Sequence, residues 1–265
     1  MSIILDSIKN TVPAEAYNCQ ISHVAAAAHM TMIKAVRLGC CMTLSDERVF
    51  EFKVNQPVSH LGEIETLGLK GILDWTDSYQ GIERSFGVAA LNGSIPLPER
   101  VFLGNALELA VNCGKNKNVA MIGHFPHVED FRKNAKNFWV LEKRPQEGDV
   151  PAEEYVNILP QSDVVIATGV TCLNDTIEGL LAVKKPGSVF IIVGPSVPLS
   201  PVLFDYGVDV IGGAFCEDEE DVYRKILQGA SPRSVKKSLR TVLYPKDPAL
   251  LAGFEEITPA VLNRV

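Results

Sequence analysis

The chain has 265 residues, 46% hydrophobic and 22% charged, with a formal net charge of -7. A nucleic-acid partner needs a basic face, so this balance argues against one. No apolar run approaches the roughly 18 residues of a membrane span, and residues 1–10 lack the pattern of a signal peptide. The expectation is a cytoplasmic protein that does not act at a membrane.

Residues 2–9 read as a short helix. Residues 23–35 and 37–44 are rich in β-branched and small side chains, and residues 47–54 alternate apolar with charged, so all three segments are expected in a small antiparallel sheet. Residues 64–75 and 82–92 read as helices, the second of them rich in small residues through Gly87-Val88-Ala89-Ala90. Pro96 and Pro98 then break the chain, which places a domain boundary between residues 97 and 98.

Beyond residue 118 the pattern changes. Short, mostly apolar runs at 119–122, 138–141, 163–167, 189–193 and 208–211 alternate with helical segments at 128–135, 175–183 and 218–228. Such alternation predicts a parallel sheet covered on both faces, in an α/β fold of Rossmann-like type. In such sheets ligands sit beyond the carboxyl ends of the strands. The residues found there are therefore the candidates for a site.

Gly123-His124-Phe125-Pro126-His127 occupies the place of a dinucleotide-binding glycine loop but keeps a single glycine, so a standard pyrophosphate cradle is not expected. His124 is the candidate acid or base. Glu142 follows at the end of the second strand, where such folds place an acid against a ribose. Its bland alternative is a strand-end ion pair with Lys143 or Arg144.

Thr168, Gly169, Thr171, Asn174, Asp175 and Thr176 gather before a helix, where hydroxyls and free N–H groups favour an anion. Ordinary capping by Asn174 or Asp175 is the competing explanation. Gly194-Pro195-Ser196 opens a stiff loop that continues to Pro201, with Ser200 as the expected cap of the next helix. The two loops together are expected to form one anion site held by neutral donors. Asn92 ends the small-residue helix and could reach the same mouth. The six cysteines show no Cys-x-x-Cys pair and no disulfide framework, so they read as reduced, buried thiols. Cys172 lies in the threonine-rich loop, where a positive helix end would favour a thiolate.

These segments carry a resemblance. Residues 119–123, Val140-Leu141-Glu142, residues 163–174 and above all Gly194-Pro195-Ser196 with Pro198-Leu199-Ser200-Pro201 resemble the heavy-metal chelation family. The helix ending in Asn92 resembles that family's small-residue helix, and Met30-Thr31-Met32 matches more loosely. The resemblance covers roughly residues 1–230 and leaves the tail from residue 231 aside. It implies an N-terminal domain like that of enolase, over residues 1–97, followed by a Rossmann-like domain over 98–265. It also implies a site between the two, completed in some arrangements by a second subunit of a homodimer, and it supports Thr171, Asn174, Gly194 and Ser196 as ligand residues.

Three functions follow as expectations. The first is binding, with or without chemical change, of a small anionic metabolite or metal chelate. The second is an enzyme dependent on a nucleotide or methyl donor, with Glu142 on the ribose. The third is a metal carrier using His124, His127 and Cys172. The residues name no cofactor and no metal set.

Overall fold

The computed structural model describes residues 2–44 and 57–259. The alternating segment 47–54 lies outside the described residues. Two sheets form the frame. The smaller is an antiparallel meander of β1 (Ser22–Ala26), β2 (Met30–Lys34) and β3 (Leu38–Met42). The sequence reads residues 23–35 as one strand, whereas a turn at Ala27–Ala28–His29 splits it. That turn contains no glycine or proline, so its usual signal is missing.

Alternation gives this small sheet two apolar faces. Met30, Met32, Leu38 and Cys40 pack with Cys216, Val222 and Ile226, while Ile33 and Cys41 share a core with the helix Gly81–Ser94. That helix lies on the strand backbone itself. A Cβ on Gly39 would fall 1.9 Å from the carbonyl oxygen of Ala89, so only glycine permits the approach.

The larger sheet contains β4 (Val101–Leu103), β5 (Asn118–Ile122), β6 (Asn137–Glu142), β7 (Val150–Pro151), β8 (Val164–Thr168), β9 (Val189–Val193), β10 (Val210–Cys216), β11 (Leu239–Pro245) and β12 (Glu255–Ile257). Its order is β12-β4-β11-β10-β9-β8-β5-β6-β7. β5 through β10 are mutually parallel, and β11, β4 and β12 add antiparallel pairings at one edge. Numbered in chain order, the parallel strands run 3-2-1-4-5-6, the order of doubly wound dinucleotide-binding sheets.

Both faces of the parallel strands are covered, as their unbroken apolar runs predict. Val119, Met121, Val164 and Ile166 face the helices Ala106–Cys113 and Val128–Asn134. Ala120, Val165, Phe190 and Ile192 face the opposite way and join the core that holds Ile4, Leu5 and Ile8 of the first helix, Ile3–Lys9. One hydrophobic core thus runs beneath both sheets. Among the described residues, no helix is long and apolar enough to cross a membrane.

Candidate functional site

The strand order reverses between β5 and β8, and successive connections there leave toward opposite faces. A crevice opens beyond the strand ends at such a point. Here it is a cavity of about 800 Å³, within the range of small-molecule sites. Three strand ends supply its walls: Gly123-His124-Phe125 after β5, Leu141 to Arg144 at β6, and Thr168 to Thr176 after β8. Tyr155 and, from the N-terminal region, Leu44 close its sides.

Gly123 makes the first turn at φ +88°, and a Cβ on it would lie 3.1 Å from Thr168 Cγ2. The left-handed backbone favours glycine, and the contact would be a tight one for any larger residue. The turn delivers the His124 N–H to Glu142 Oε2 at 3.1 Å, while the Lys143 N–H reaches Oε1 at 2.8 Å. Glu142 therefore staples the β5 loop to the end of β6 and still lines the cavity.

His124 Nδ1 pairs with Asp149 Oδ2 at 3.3 Å, and the Asp149 side chain is only 1% exposed. A buried carboxylate on one ring nitrogen fixes the orientation of the imidazole and leaves Nε2 for proton exchange. The sequence gives no sign of Asp149, because an acid 25 residues from its histidine has no characteristic spacing.

In the loop after β8, Thr171 Oγ1 donates to the Thr168 carbonyl at 2.7 Å, and the Val170 N–H donates to Thr168 Oγ1 at 3.3 Å. These hydroxyls are partly used by the turn. Thr176 Oγ1 lies 2.6 Å from the Asn174 amide. Turning the amide over lets its nitrogen donate to Thr176 Oγ1 and to the Val170 carbonyl at 3.3 Å and its oxygen accept from Lys143 Nζ at 3.2 Å, and we assign that orientation because it satisfies both amide atoms. Lys143 thus crosses the crevice from β6 to the β8 loop, and Arg144 lines the cavity beside it. The sequence reading assigned neither cation to the ligand. Neither Asn174 nor Asp175 caps the following helix: it starts at Ile177, with Thr176 at its N-cap and no side-chain cap.

Gly194, Pro195, Ser196 and Asn92 lie elsewhere. The loop after β9 shares the sheet edge with the loop after β8, but Val197, 1% exposed, fills the space between them against Gly169. Ser196 Oγ accepts from the Met42 N–H at 2.9 Å. Asn92 Nδ2 donates to the carbonyls of Cys40 at 3.0 Å and Pro195 at 3.2 Å. These residues join the two sheets and do not line the large cavity, and Val197 stands between the two loops that the sequence reading joined in one site. Nor does Ser200 cap the next helix, whose N-cap is Pro201.

His127, at φ +72°, turns to Asp130 and stands outside the cavity. Cys172 is 1% exposed, and burial pushes its thiol up to about 12, so it is not a thiolate near neutrality. The set His124, His127 and Cys172 is therefore not assembled. Among the described residues, no group of three or more His, Cys, Asp or Glu side chains is placed to hold a metal ion. Two thiols do meet away from the cavity, Cys40 and Cys216, with their sulfurs 3.6 Å apart.

The profile of family DUF364, described as "Putative heavy-metal chelation", matches residues 105–245. The chain belongs to this family. The match spans just over half of the chain, from the helix Ala106–Cys113 to the end of β11, and includes the three strand ends that wall the cavity. An uncharacterized protein of Methanocaldococcus jannaschii is 30% identical over 175 residues, 63% of this chain. That alignment covers 65% of the archaeal protein, slightly less than two thirds.

Two solved DUF364 structures of unknown function share the fold. That from Desulfitobacterium hafniense superposes with a TM-score of 0.75 at 22% identity, covering 92% of this chain and 98% of its own. That from Pyrococcus horikoshii gives 0.69 at 22% identity, covering 92% and 100%. The likeness therefore extends across both sheets.

Proposed function

We propose that the protein binds a small anionic organic molecule, a metabolite or a metal chelate, in the cavity where the strand order reverses. The observation that carries this reading is Lys143, which reaches across the crevice to Asn174 with Arg144 beside it. Three carboxylates share the walls, Glu142, Glu153 and Asp175, but Glu142 accepts from two backbone N–H groups and Asp175 pairs with Arg84, so Lys143 and Arg144 suit a carboxylate or phosphate, and charge-assisted bonds are the stronger kind. A chelate suits the family description better than a bare ion does, because the cavity walls bring no metal-ligand set together. His124, oriented by Asp149, is the group that would exchange a proton with the ligand.

Mass spectrometry of the protein under native conditions, followed by denaturation and analysis of whatever is released, tests the reading. A released anion that is lost in Lys143→Gln supports it. Removing one charged hydrogen bond is expected to weaken binding about tenfold or more, since such bonds contribute roughly 1.5–3 kcal/mol. A neutral or cationic ligand, or retention unchanged in Lys143→Gln and Arg144→Gln, would sink it.

A second reading, a nucleotide or methyl donor, is favoured by Glu142, which lines the cavity at the end of the second parallel strand. A released compound containing ribose, bound more weakly by Glu142→Gln, would select that reading.

A further inference from the structure

We propose that the ligand of the cavity is an amphiphilic anion: a carboxylate or phosphate head at Lys143, joined to an apolar body of ring size that lies against an open edge of the hydrophobic core. This inference rests on the anion reading above and narrows its ligand class.

The walls change character with depth. Each parallel strand leaves the sheet at its carboxyl end, so the earlier residues of a strand lie deeper. Along β6 the chain passes from Leu141, 1% exposed, through half-buried Glu142 to exposed Lys143. At the end of β5 it passes from half-buried Ile122 to exposed His124. Charged groups therefore stand at the mouth, and apolar ones form the inner wall.

That wall belongs to the core. Ile122, Leu141, Tyr155 and Leu180 line the cavity, and all four pack in the core that runs beneath both sheets. Apolar surface held in a concave place favours cover by an apolar group over water. A single anionic head fills a small part of about 800 Å³, so the rest of the ligand must match this wall.

Tyr155 and Gly179 give the wall its shape. Tyr155 opens the helix Tyr155–Ile158, and its phenol rests against the helix Ile177–Val183 at Gly179. A Cβ on Gly179 would lie 3.3 Å from the phenol oxygen and 3.9 Å from Cζ. Glycine is a poor helix former, and here its missing side chain makes room for the ring. Both residues line the cavity.

A hydroxyl-rich body fits this wall less well. Glu142 already accepts from two backbone N–H groups, the Thr168 and Thr171 hydroxyls serve their own turn, and Asp175 is held by Arg84. A sugar placed there would give up water for few new partners, and a polar group buried without one is costly.

Calorimetry of the full chain with three probes that share one head tests the proposal: inorganic phosphate, phenyl phosphate and ribose 5-phosphate, at mildly alkaline pH where each is largely a dianion. Phenyl phosphate is expected to bind roughly fiftyfold tighter than inorganic phosphate, the effect of covering about 100 Å² of apolar surface. Ribose 5-phosphate should bind about as inorganic phosphate does. The phenyl phosphate advantage should fall about tenfold or more in Gly179→Leu, whose side chain takes the place of the ring, and in Tyr155→Ala, which removes it. Lys143→Gln should weaken inorganic phosphate and phenyl phosphate together. The comparison of probes on the unaltered chain stands even should either wall variant fail to fold. Equal binding of inorganic phosphate and phenyl phosphate, with both weakened by Lys143→Gln, would overturn the apolar body and leave the anion reading standing. Phenyl phosphate bound as tightly by Lys143→Gln as by the unaltered chain would overturn both. Ribose 5-phosphate bound more tightly than phenyl phosphate, no saturable binding of phenyl phosphate, or an advantage unaltered in both wall variants also overturns the proposal.

Discussion

Arg84 Nη1 lies 2.8 Å from Asp175 Oδ2 and donates at 3.1 Å to the Leu173 carbonyl. A side chain of the helix Gly81–Ser94 thereby fixes the turn that walls the cavity. Asp175 sits at φ +56°, a conformation that aspartate tolerates better than most residues but that still needs support. Arg84→Met removes that support. Asp175 is 33% exposed and Arg84 9%, so the expected loss is about 1–3 kcal/mol, between surface and fully buried pairs. Urea unfolding measures it, and an unchanged midpoint would refute the role.

Ser196 belongs to the seam, and its substitution should act on stability. In Ser196→Ala the Met42 N–H loses its acceptor in a buried place, which costs about 1–3 kcal/mol. Ligand retention by the folded variant should be unchanged. Weakened ligand retention with unaltered stability would return Ser196 to the ligand site.

Thiol reactivity should divide the cysteines by burial. Cys172, pushed up to about 12, and Cys41, also pushed up by burial, are protonated at neutral pH, and the thiolate is the reactive form. Cys19 and Cys113 are half-buried. Alkylation of the native protein, mapped by mass spectrometry, should mark these two first. Early labelling of Cys172 would contradict the structure.

The parallel strands could be read from the sequence because each is buried on both faces, which leaves an unbroken apolar run; the run at 189–193 coincides with β9. The antiparallel edge could not be read. β12 is Glu255-Glu256-Ile257 and β4 has three residues, too little for any periodicity. The cavity residues from β5, β6 and β8 were found through their place at strand ends. Asp149, Lys143 and Arg84 were not, since their roles come from contacts between segments that no local pattern records. Ser196 was placed wrongly for the same reason: a serine after a strand looks alike whether it faces a ligand or the N–H of another strand.

Acid should weaken the attachment of the helix Glu219–Leu227. Hydrogen bonds from Lys225 first, then from Ser238, hold Asp221 at about 2, below its ordinary 3.8. A carboxyl group depressed in the folded state stabilises it fully above the unfolded value and loses that contribution as pH falls through the folded one. The melting temperature should therefore drop between pH 3.8 and about 2. The paired change Lys225→Met and Ser238→Ala should flatten the profile in that window. An identical acid profile in the paired variant would exclude Asp221 as a contributor.

Because Ile4, Leu5 and Ile8 share a core with Phe190 and Ile192, a cut between the helix Gly81–Ser94 and β4 would leave each fragment with a large bare apolar surface. Such fragments are expected to aggregate when expressed apart and to recombine when expressed together. The cavity loop fastened by Arg84 would then report on their reunion. In this chain the N-terminal segment completes one face of the larger sheet together with the helix Ile177–Val183, and through Arg84 it holds one wall of the cavity.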